Sequence, residues 1–314
     1  MSVYTRLTKE ELEQLLSQYD IGNFVNIEGI NEGITNSNFY LTTTKSKFIL
    51  TIFEEPNLNI EYAIDLMDML SANQINCPIP IKTRKGLSVI DVKNKPASIF
   101  SLLPGKTISS NVPTINMCKE IGNTIGRIHV NSKRFQKYDL GLRSSYWFEK
   151  TSKKLRGVLD DEDMNLINKE IENQIYCTNT KLPSGVIHSD LFRDNALFHN
   201  NKLSGVIDFY YACNGYYLYD LAIIVNDWCL AKDLSIDYER QNAFMIAYND
   251  VRKIEDLEKD MWPNVLRHAA LRFWLSRLHD KFFPVDGEIT HQLDPNEFKQ
   301  ILIDRIETPY ILKI

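Results

Sequence analysis

The chain has 314 residues, 44% hydrophobic and 25% charged, with a formal net charge of −5, an ordinary globular composition with room for one large two-lobed domain. The acidic total argues against a general affinity for nucleic acid or an anionic membrane surface. Five scattered cysteines without a CxxC pair argue against a disulfide framework or a zinc site and fit a reducing compartment.

The N-terminus, MSVYTRLTKEELEQLLSQYD, has no signal-like apolar core, and no run approaches the roughly 18 apolar residues of a membrane span. The expectation is a soluble, cytoplasmic protein, with no nucleic acid, membrane or partner protein implied. Thr8-x-x-Glu11 reads as a capping box that opens an amphipathic helix. FVNIEGI, SNFYLTTT and KFILTIFE then read as strands, short and rich in Ile, Phe, Tyr and Thr. NIEYAIDLMDMLSANQ (59–74) has helical spacing with Asn59 as its cap, and Cys77-Pro78-Ile79-Pro80 stops it. GLSVIDV and PASIFSLL resume the strand pattern until Pro104-Gly105 breaks the ladder.

Beyond Gly105 the character changes. IGNTIGRIHVNS, the stretch from Ser152 to Gln174 and long segments from 216 onward read as helices, interrupted only by VIH, ALFH and LSGVIDF. ALFH and KLSGVIDF flank Asn200-Asn201, the pattern of a hairpin on a two-residue turn. KTSKKLRG (150–157) reads as a solvated helix face. There is no internal repeat. The fold class is α+β, a strand-rich lobe over 1–103 meeting a helix-rich lobe over 104–314.

VIHSDLFRDNALF (186–198) packs His188, Asp190, Arg193, Asp194 and Asn195 between two apolar runs, and Asp208 ends the second strand of the hairpin thirteen residues after Asn195. A hairpin brings its ends together, so Asp190, Asn195 and Asp208 can converge on one cleft. Phosphoryl transfer to a hydroxyl needs such a set. Mg²⁺ takes oxygen ligands and is held by one or two protein oxygens plus phosphates, a role for Asp208 and Asn195, while Asp190 accepts the proton of the attacking hydroxyl. The competing reading is a solvated loop with an N-cap aspartate.

HxDxxxxN followed by IDF is the pattern of the protein-kinase-like superfamily, with Ser189 in place of the usual arginine. Together with VYTRLT, GINEGITNSNF, GVIDFYYACN, YDLAIIVNDWC and AALRFWLSRL, it makes the chain resemble homoserine kinases of the aminoglycoside phosphotransferase and choline kinase-like type from its first residues to beyond 280. The resemblance implies a two-lobed protein-kinase-like fold with a small antiparallel-sheet N-lobe and a larger, mainly helical C-lobe. It also implies transfer of phosphate from ATP, with Mg²⁺, to the hydroxyl of L-homoserine, a step towards threonine.

In such a fold Asn36 and Ser37, with Ile34, belong to a flap over the phosphates, although NEGITNSNF with its single glycine also fits a plain hairpin turn. Ser101 and Leu103 offer hinge backbone groups to the adenine edge. Ile34, Phe39 and Ile49 either sandwich the ring or are simply core. His188 is expected to hold the loop, His129 to pack at a helix end, and Asp220 to cap or anchor a helix beside the loop. Tyr210, Tyr211 and Asn214 fall near an acceptor pocket. Arg272 and Arg277 are the cationic candidates for the acceptor carboxylate, with helix salt bridges as the competing role; Asp227 and Asp20 are acidic candidates for the ammonium.

One departure stands out. The fold's strand lysine aligns with Thr51, and Lys47, four residues away, is displaced by about 13 Å at strand rise. Glu61 and Asp65 therefore have no evident ionic partner and read as surface residues. The alternatives are a kinase of another small hydroxyl acceptor (choline, an aminoglycoside, an amino alcohol) and a non-catalytic nucleotide-binding pseudokinase, for which Thr51 is the support.

Overall fold

The computed structural model describes residues 5–30, 36–108, 111–284 and 293–314. Helix α1 (Lys9–Leu16) starts on the expected capping box: the Glu11 N–H donates to the Thr8 hydroxyl, and the Glu11 carboxylate accepts the Thr8 N–H. Strands β1 (Phe24–Gly29), β2 (Ser37–Thr43), β3 (Lys47–Ile52), β4 (Ile90–Val92) and β5 (Lys95–Ser101) form an antiparallel sheet in the order β1-β2-β3-β5-β4. The β4–β5 turn has Lys93 and Asn94 at φ 55 and 62, the left-handed pair a two-residue hairpin demands.

The period of two sorts the sheet residues onto two faces. Phe39, Leu41, Leu50, Ile52 and Ile99 pack under Leu12, Leu15 and Leu16 of α1. Ile49, Phe53 and Phe100 face the other way and join the core of the helical lobe. Helix α2 (Ile60–Ala72), capped by Asn59 as expected, packs its Tyr62, Leu66, Met67 and Leu70 into that same core. The large core thus runs through both lobes beneath the sheet, and the chain crosses between them at Leu102–Gly105.

The C-terminal lobe contains α3 (Ile115–Asn131), α4 (Ser145–Leu155), α5 (Asp161–Asn179), α6 (Tyr217–Trp228), α7 (Tyr238–Val251), α8 (Asp256–Phe282) and α9 (Pro295–Glu307). Helices α3 and α7 lie so close that a Cβ on Gly122 would come within 2.3 Å of the Phe244 carbonyl oxygen, which is why IGNTIG carries glycine there. The helical stretch expected over 152–174 is two helices, divided where Gly157 takes φ 90 and Asp160 caps α5. Trp228, Trp262 and Trp274 are fully buried, each burial worth at least the roughly 1.5–3 kcal/mol of a large apolar side chain.

The hairpin pairs β7 (Ala196–His199) with β8 (Lys202–Val206), and Asn200 and Asn201 have φ 50 and 60, the expected left-handed turn. A second ribbon pairs β6 (Ser184–Ile187) with β9 (Cys213–Tyr216). Cys77, Cys118, Cys213 and Cys229 are buried free thiols, and no helix among the described residues is long and apolar enough to cross a membrane.

Candidate active site

Strand β6 delivers the chain to His188, and a buried carboxylate catches it there. Asp220, in the first turn of α6, accepts the His188 N–H at 2.9 Å on Oδ2 and the Ser189 N–H at 2.8 Å on Oδ1. The same Oδ2 accepts from His129 Nε2 at 3.0 Å. Burial pushes the Asp220 carboxyl up, but its bonds and charges with His129 and His188 outweigh this and hold it below the usual carboxylate range. Ser189 has φ 68; a non-glycine residue in the left-handed region costs of order 1–3 kcal/mol, and the two bonds to Asp220 hold it there.

His188 is 0% exposed. Its Nε2 lies 3.0 Å from the Ile207 carbonyl oxygen, and its Nδ1 accepts the Asp190 N–H at 3.3 Å. Burial lowers its pKa, so the ring is a neutral strut between the loop and the end of β8. Asp190 then projects towards α8, where Arg272 Nη1 donates to its Oδ1 at 3.3 Å.

Asn195 closes the loop. Its Nδ2 donates to the Asp190 carbonyl at 2.8 Å, and its own carbonyl accepts the Ile207 N–H at 2.9 Å. That leaves the amide Oδ1 with no donor among the described residues. The next residue on the β8 side is Asp208, at φ 64 and ψ 53, a second non-glycine left-handed residue that turns its carboxyl out of strand register. Asp190, Asn195 and Asp208 are therefore brought together where the loop meets the end of β8, through the bonds of Asn195 to Asp190 and Ile207. Arg193 secures the remaining corner, donating from N–H and Nε to Asp227 at 2.7 and 3.0 Å.

The donor set fits a hard cation. Burial, then the negative charges of Asp190 and Asp194, push the Asp208 carboxyl up to about 7, against one opposing bond from the Tyr210 N–H. A carboxylate crowded by carboxylates, beside an amide oxygen without a donor, is the environment a divalent ion relieves.

The other expected site residues divide. At the hinge, the Ser101 side chain and N–H are tied to Ile79, while the Leu103 N–H has no partner among the described residues. Ile49 faces the interlobe side, whereas Phe39 pairs with Leu50 on the α1 face and is core. Asn36 and Ser37 bond to the N–H and the carboxylate of Glu54, fastening β2 to the end of β3. Ile34 lies outside the described residues.

The geometry does not bring three of the expected acceptor residues to a pocket. Tyr210 turns under the sheet, its ring edge-on to Phe53 at 4.9 Å and its hydroxyl against Thr51. Asn214 uses its Oδ1 on the Tyr62 hydroxyl at 3.1 Å and the Asp139 N–H at 2.9 Å. Arg277 is held by Glu297 at 2.6 Å and the Asp294 carbonyl at 2.8 Å. Asp227 is engaged by Arg193, Asp20 pairs with Lys45 at the surface, and Asp65 pairs with Lys137 rather than standing alone.

One residue at the site carries no motif. Arg143, just ahead of α4, lies with its guanidinium 4.6 Å over the Trp147 ring and 5.8 Å over Tyr211. A lone arginine in LGLRSS gives a sequence reader no spacing to interpret.

Comparison with known proteins shows the family and the fold. The family described as "Phosphotransferase enzyme family" matches residues 26–254. A homoserine kinase of Methylobacillus flagellatus is 41% identical over 303 residues, covering 96% of this chain and 94% of that one. A homoserine kinase of Neisseria meningitidis serogroup B is 37% identical, covering 96% and 99%. Among solved structures, an amicoumacin kinase in complex with AMP-PNP, Ca²⁺ and Ami superposes with TM-score 0.70 at 16% identity, covering 94% of each chain. At that identity it speaks for the fold alone.

Proposed function

The chain belongs to the phosphotransferase enzyme family, alongside its homoserine kinases, and from that premise we propose how its residues transfer the γ-phosphoryl group of ATP to the hydroxyl of L-homoserine, giving ADP and O-phospho-L-homoserine. The observation that carries the assignment of roles is the closed loop of Asp190, Asn195 and Asp208, three oxygen-bearing side chains fixed at one cleft by Asp220, His188 and the hairpin.

Asp190 orients the homoserine hydroxyl and accepts its proton as the oxygen attacks the γ-phosphorus. The bond to the β-phosphate oxygen breaks, and ADP leaves. Arg272, paired to one oxygen of Asp190, fixes the direction in which the other is presented. Asn195 Oδ1 and Asp208 would hold Mg²⁺, which would supply charge neutralisation for the phosphates when bound. The Leu103 N–H and the Ser101 carbonyl offer the adenine edge a donor and an acceptor, with Ile49 on its face. Tyr210 and Thr51 fill the position where the kinase pattern has a strand lysine, so no side chain there neutralises the triphosphate. Catalysis is by positioning and charge, with no covalent intermediate on the protein. Buried thiols fit a reducing cytoplasm.

The test is ADP release with Mg·ATP and, in separate reactions, L-homoserine, serine, threonine, choline and kanamycin, with Asp190→Asn as control. Turnover on homoserine, lost by about 10²–10⁴-fold in the variant, is the expected result. Turnover on a different acceptor alone would overturn the substrate, and full activity of the variant would overturn the base.

A further inference from the structure

Several buried or half-buried arginines of this protein are matched to carboxylates. Buried Arg252 meets Glu258 at 2.9 Å, and half-buried Arg267 and Arg193 meet Glu170 at 2.5 Å and Asp227 at 3.0 Å. Arg143, itself half-buried, departs from this pattern. No carboxylate lies within ion-pair distance of it among the described residues, and its Nε is buried without a partner. Two aromatic rings are its neighbours, and a ring face supplies only about 0.5–2 kcal/mol of attraction to a cation, a poor replacement for lost hydration.

Its position is built rather than incidental. The segment that leads to it is stitched to β9: the Asp139 N–H donates to Asn214 Oδ1 at 2.9 Å, and the Asn214 N–H donates to the Asp139 carbonyl at 2.7 Å. Gly141, at φ 72, sits where a Cβ would come within 2.9 Å of Cys213. This clamp sets Arg143 over Tyr211, three residues beyond Asp208. The charges that act on Arg143 include Arg272 and Asp190 at the catalytic loop and Asp280 farther along α8.

A second, independent observation lies on α8. Arg272 is 3% exposed, and its Nε is also buried without a partner; so is the Oγ of Ser276. Residues four apart share a helix face, so Arg272 and Ser276 present their unmatched donors on one stripe. Arg143 and Arg272 set two positive charges against the one negative charge of Asp190, while Asp280, 61% exposed beside His279, is screened by solvent. That cradle suits one carboxylate.

We propose that Arg143 is the acceptor-specificity residue of this enzyme, gripping the α-carboxylate of the amino-acid substrate with the Arg272 Nε and the Ser276 hydroxyl completing the cradle, so that the far hydroxyl reaches Asp190. The inference rests on the homoserine kinase reading and adds to it the group that separates an amino acid from a plain amino alcohol. An arginine fork matches a carboxylate with two parallel donors, which a lysine cannot reproduce.

The experiment compares kcat/KM for L-homoserine and for 3-aminopropan-1-ol, the same alcohol and amine without the carboxylate, in the wild type, Arg143→Met and Arg143→Lys. Arg143→Met is expected to reduce the preference for homoserine by about 100-fold, the scale of one charge-assisted, two-pronged contact, mainly through the KM for homoserine. Arg143→Lys, which keeps the charge, is expected to reduce it by about 10-fold and provides the readout should the methionine variant not fold. Equal losses on both acceptors, a raised KM for ATP, or an unchanged preference would overturn the role of Arg143. A wild type that turns over other alcohols and not homoserine would instead overturn the substrate reading.

Discussion

Asp220 carries the backbone of Ser189 on one carboxylate oxygen, at 2.8 Å, while its other oxygen holds the backbone of His188 and the ring of His129. One side chain from α6 thereby fixes the strained residue that aims Asp190. The bonds continue outward: His129 Nδ1 meets the Tyr248 hydroxyl at 2.8 Å, which accepts from Arg252, itself paired with Glu258 in the first turn of α8. The loop geometry therefore depends on a fully buried polar chain that reaches across the helical lobe.

Replacing Asp220 by Asn preserves the shape and removes the charge, and it turns an NH₂ group towards donors that need an acceptor. At least one buried N–H is left unpaired. The expected cost is about 2–5 kcal/mol in urea unfolding, with a fall in kcat of at least about tenfold because Ser189 loses its restraint. Unaltered stability would mean that the loop is held by the hairpin alone.

Asp208 and Asn195 give a metal prediction with a clear sign. Asp208→Asn removes a buried carboxyl whose ionisation the charges of Asp190 and Asp194 oppose, so the metal-free variant is expected to be no less heat-stable than the wild type. Mg²⁺ with AMP-PNP should raise the thermal midpoint of the wild type and barely move that of the variant, since ligand stabilisation follows occupancy. Asn195→Ala should raise the half-saturating Mg²⁺ concentration about tenfold. A variant whose midpoint still responds fully to Mg²⁺ would place the ion elsewhere.

Thr51 aligns with the strand lysine of the protein-kinase pattern, and the packing around it shows why a lysine cannot simply be placed there. Thr51 is buried, its hydroxyl donates to Asn38 Oδ1 at 2.8 Å, and Tyr210 closes the space below. Thr51→Lys would overpack the site and bury an ammonium without a partner, at a cost of about 2 kcal/mol or more. Adding Tyr210→Ala should return about 1–2 kcal/mol of that, a coupling that a double-mutant cycle on unfolding free energy measures. Additive effects would mean the two positions do not share a space.

The placement of the candidate loop was legible because its spacing is local: eight residues and a hairpin turn of two asparagines leave little freedom for where Asp190, Asn195 and Asp208 can go. Strand β9 was not, since Asn214 and Gly215, two poor strand formers, fill the middle of Cys213-Asn214-Gly215-Tyr216, and its extension is set by pairing with β6. Arg272 and Arg277 looked equivalent in LRFWLSRL, but five residues rotate a helix by about 140°. Arg272 therefore faces Asp190 while Arg277 faces α9. Arg143 was invisible for a different reason: its meaning is the absence of a counterion, which only packing reveals.

His268 yields a pH prediction that is independent of catalysis. It lies one turn before Arg272 on α8, stacked on Phe148 at 5.0 Å and tilted against Tyr219 at 4.9 Å, with its Nδ1 buried and unpartnered. Glu170 and Arg267, which line the same small cavity as His268, neutralise each other at 2.5 Å. Burial alone holds the imidazole down at about 4, whereas in the unfolded chain it titrates near 6.5. The folded state therefore binds the proton more weakly, so stability is complete above about pH 6.5 and declines as the pH falls towards 4. The loss between pH 7 and 4.5 is about 2–3 kcal/mol from this group. His268→Phe keeps the stack and cannot titrate, so wild-type stability should fall by that much more than the variant's over the same interval, read by urea unfolding at each pH. Parallel curves would show that His268 takes up its proton as readily in the folded protein as in the unfolded chain.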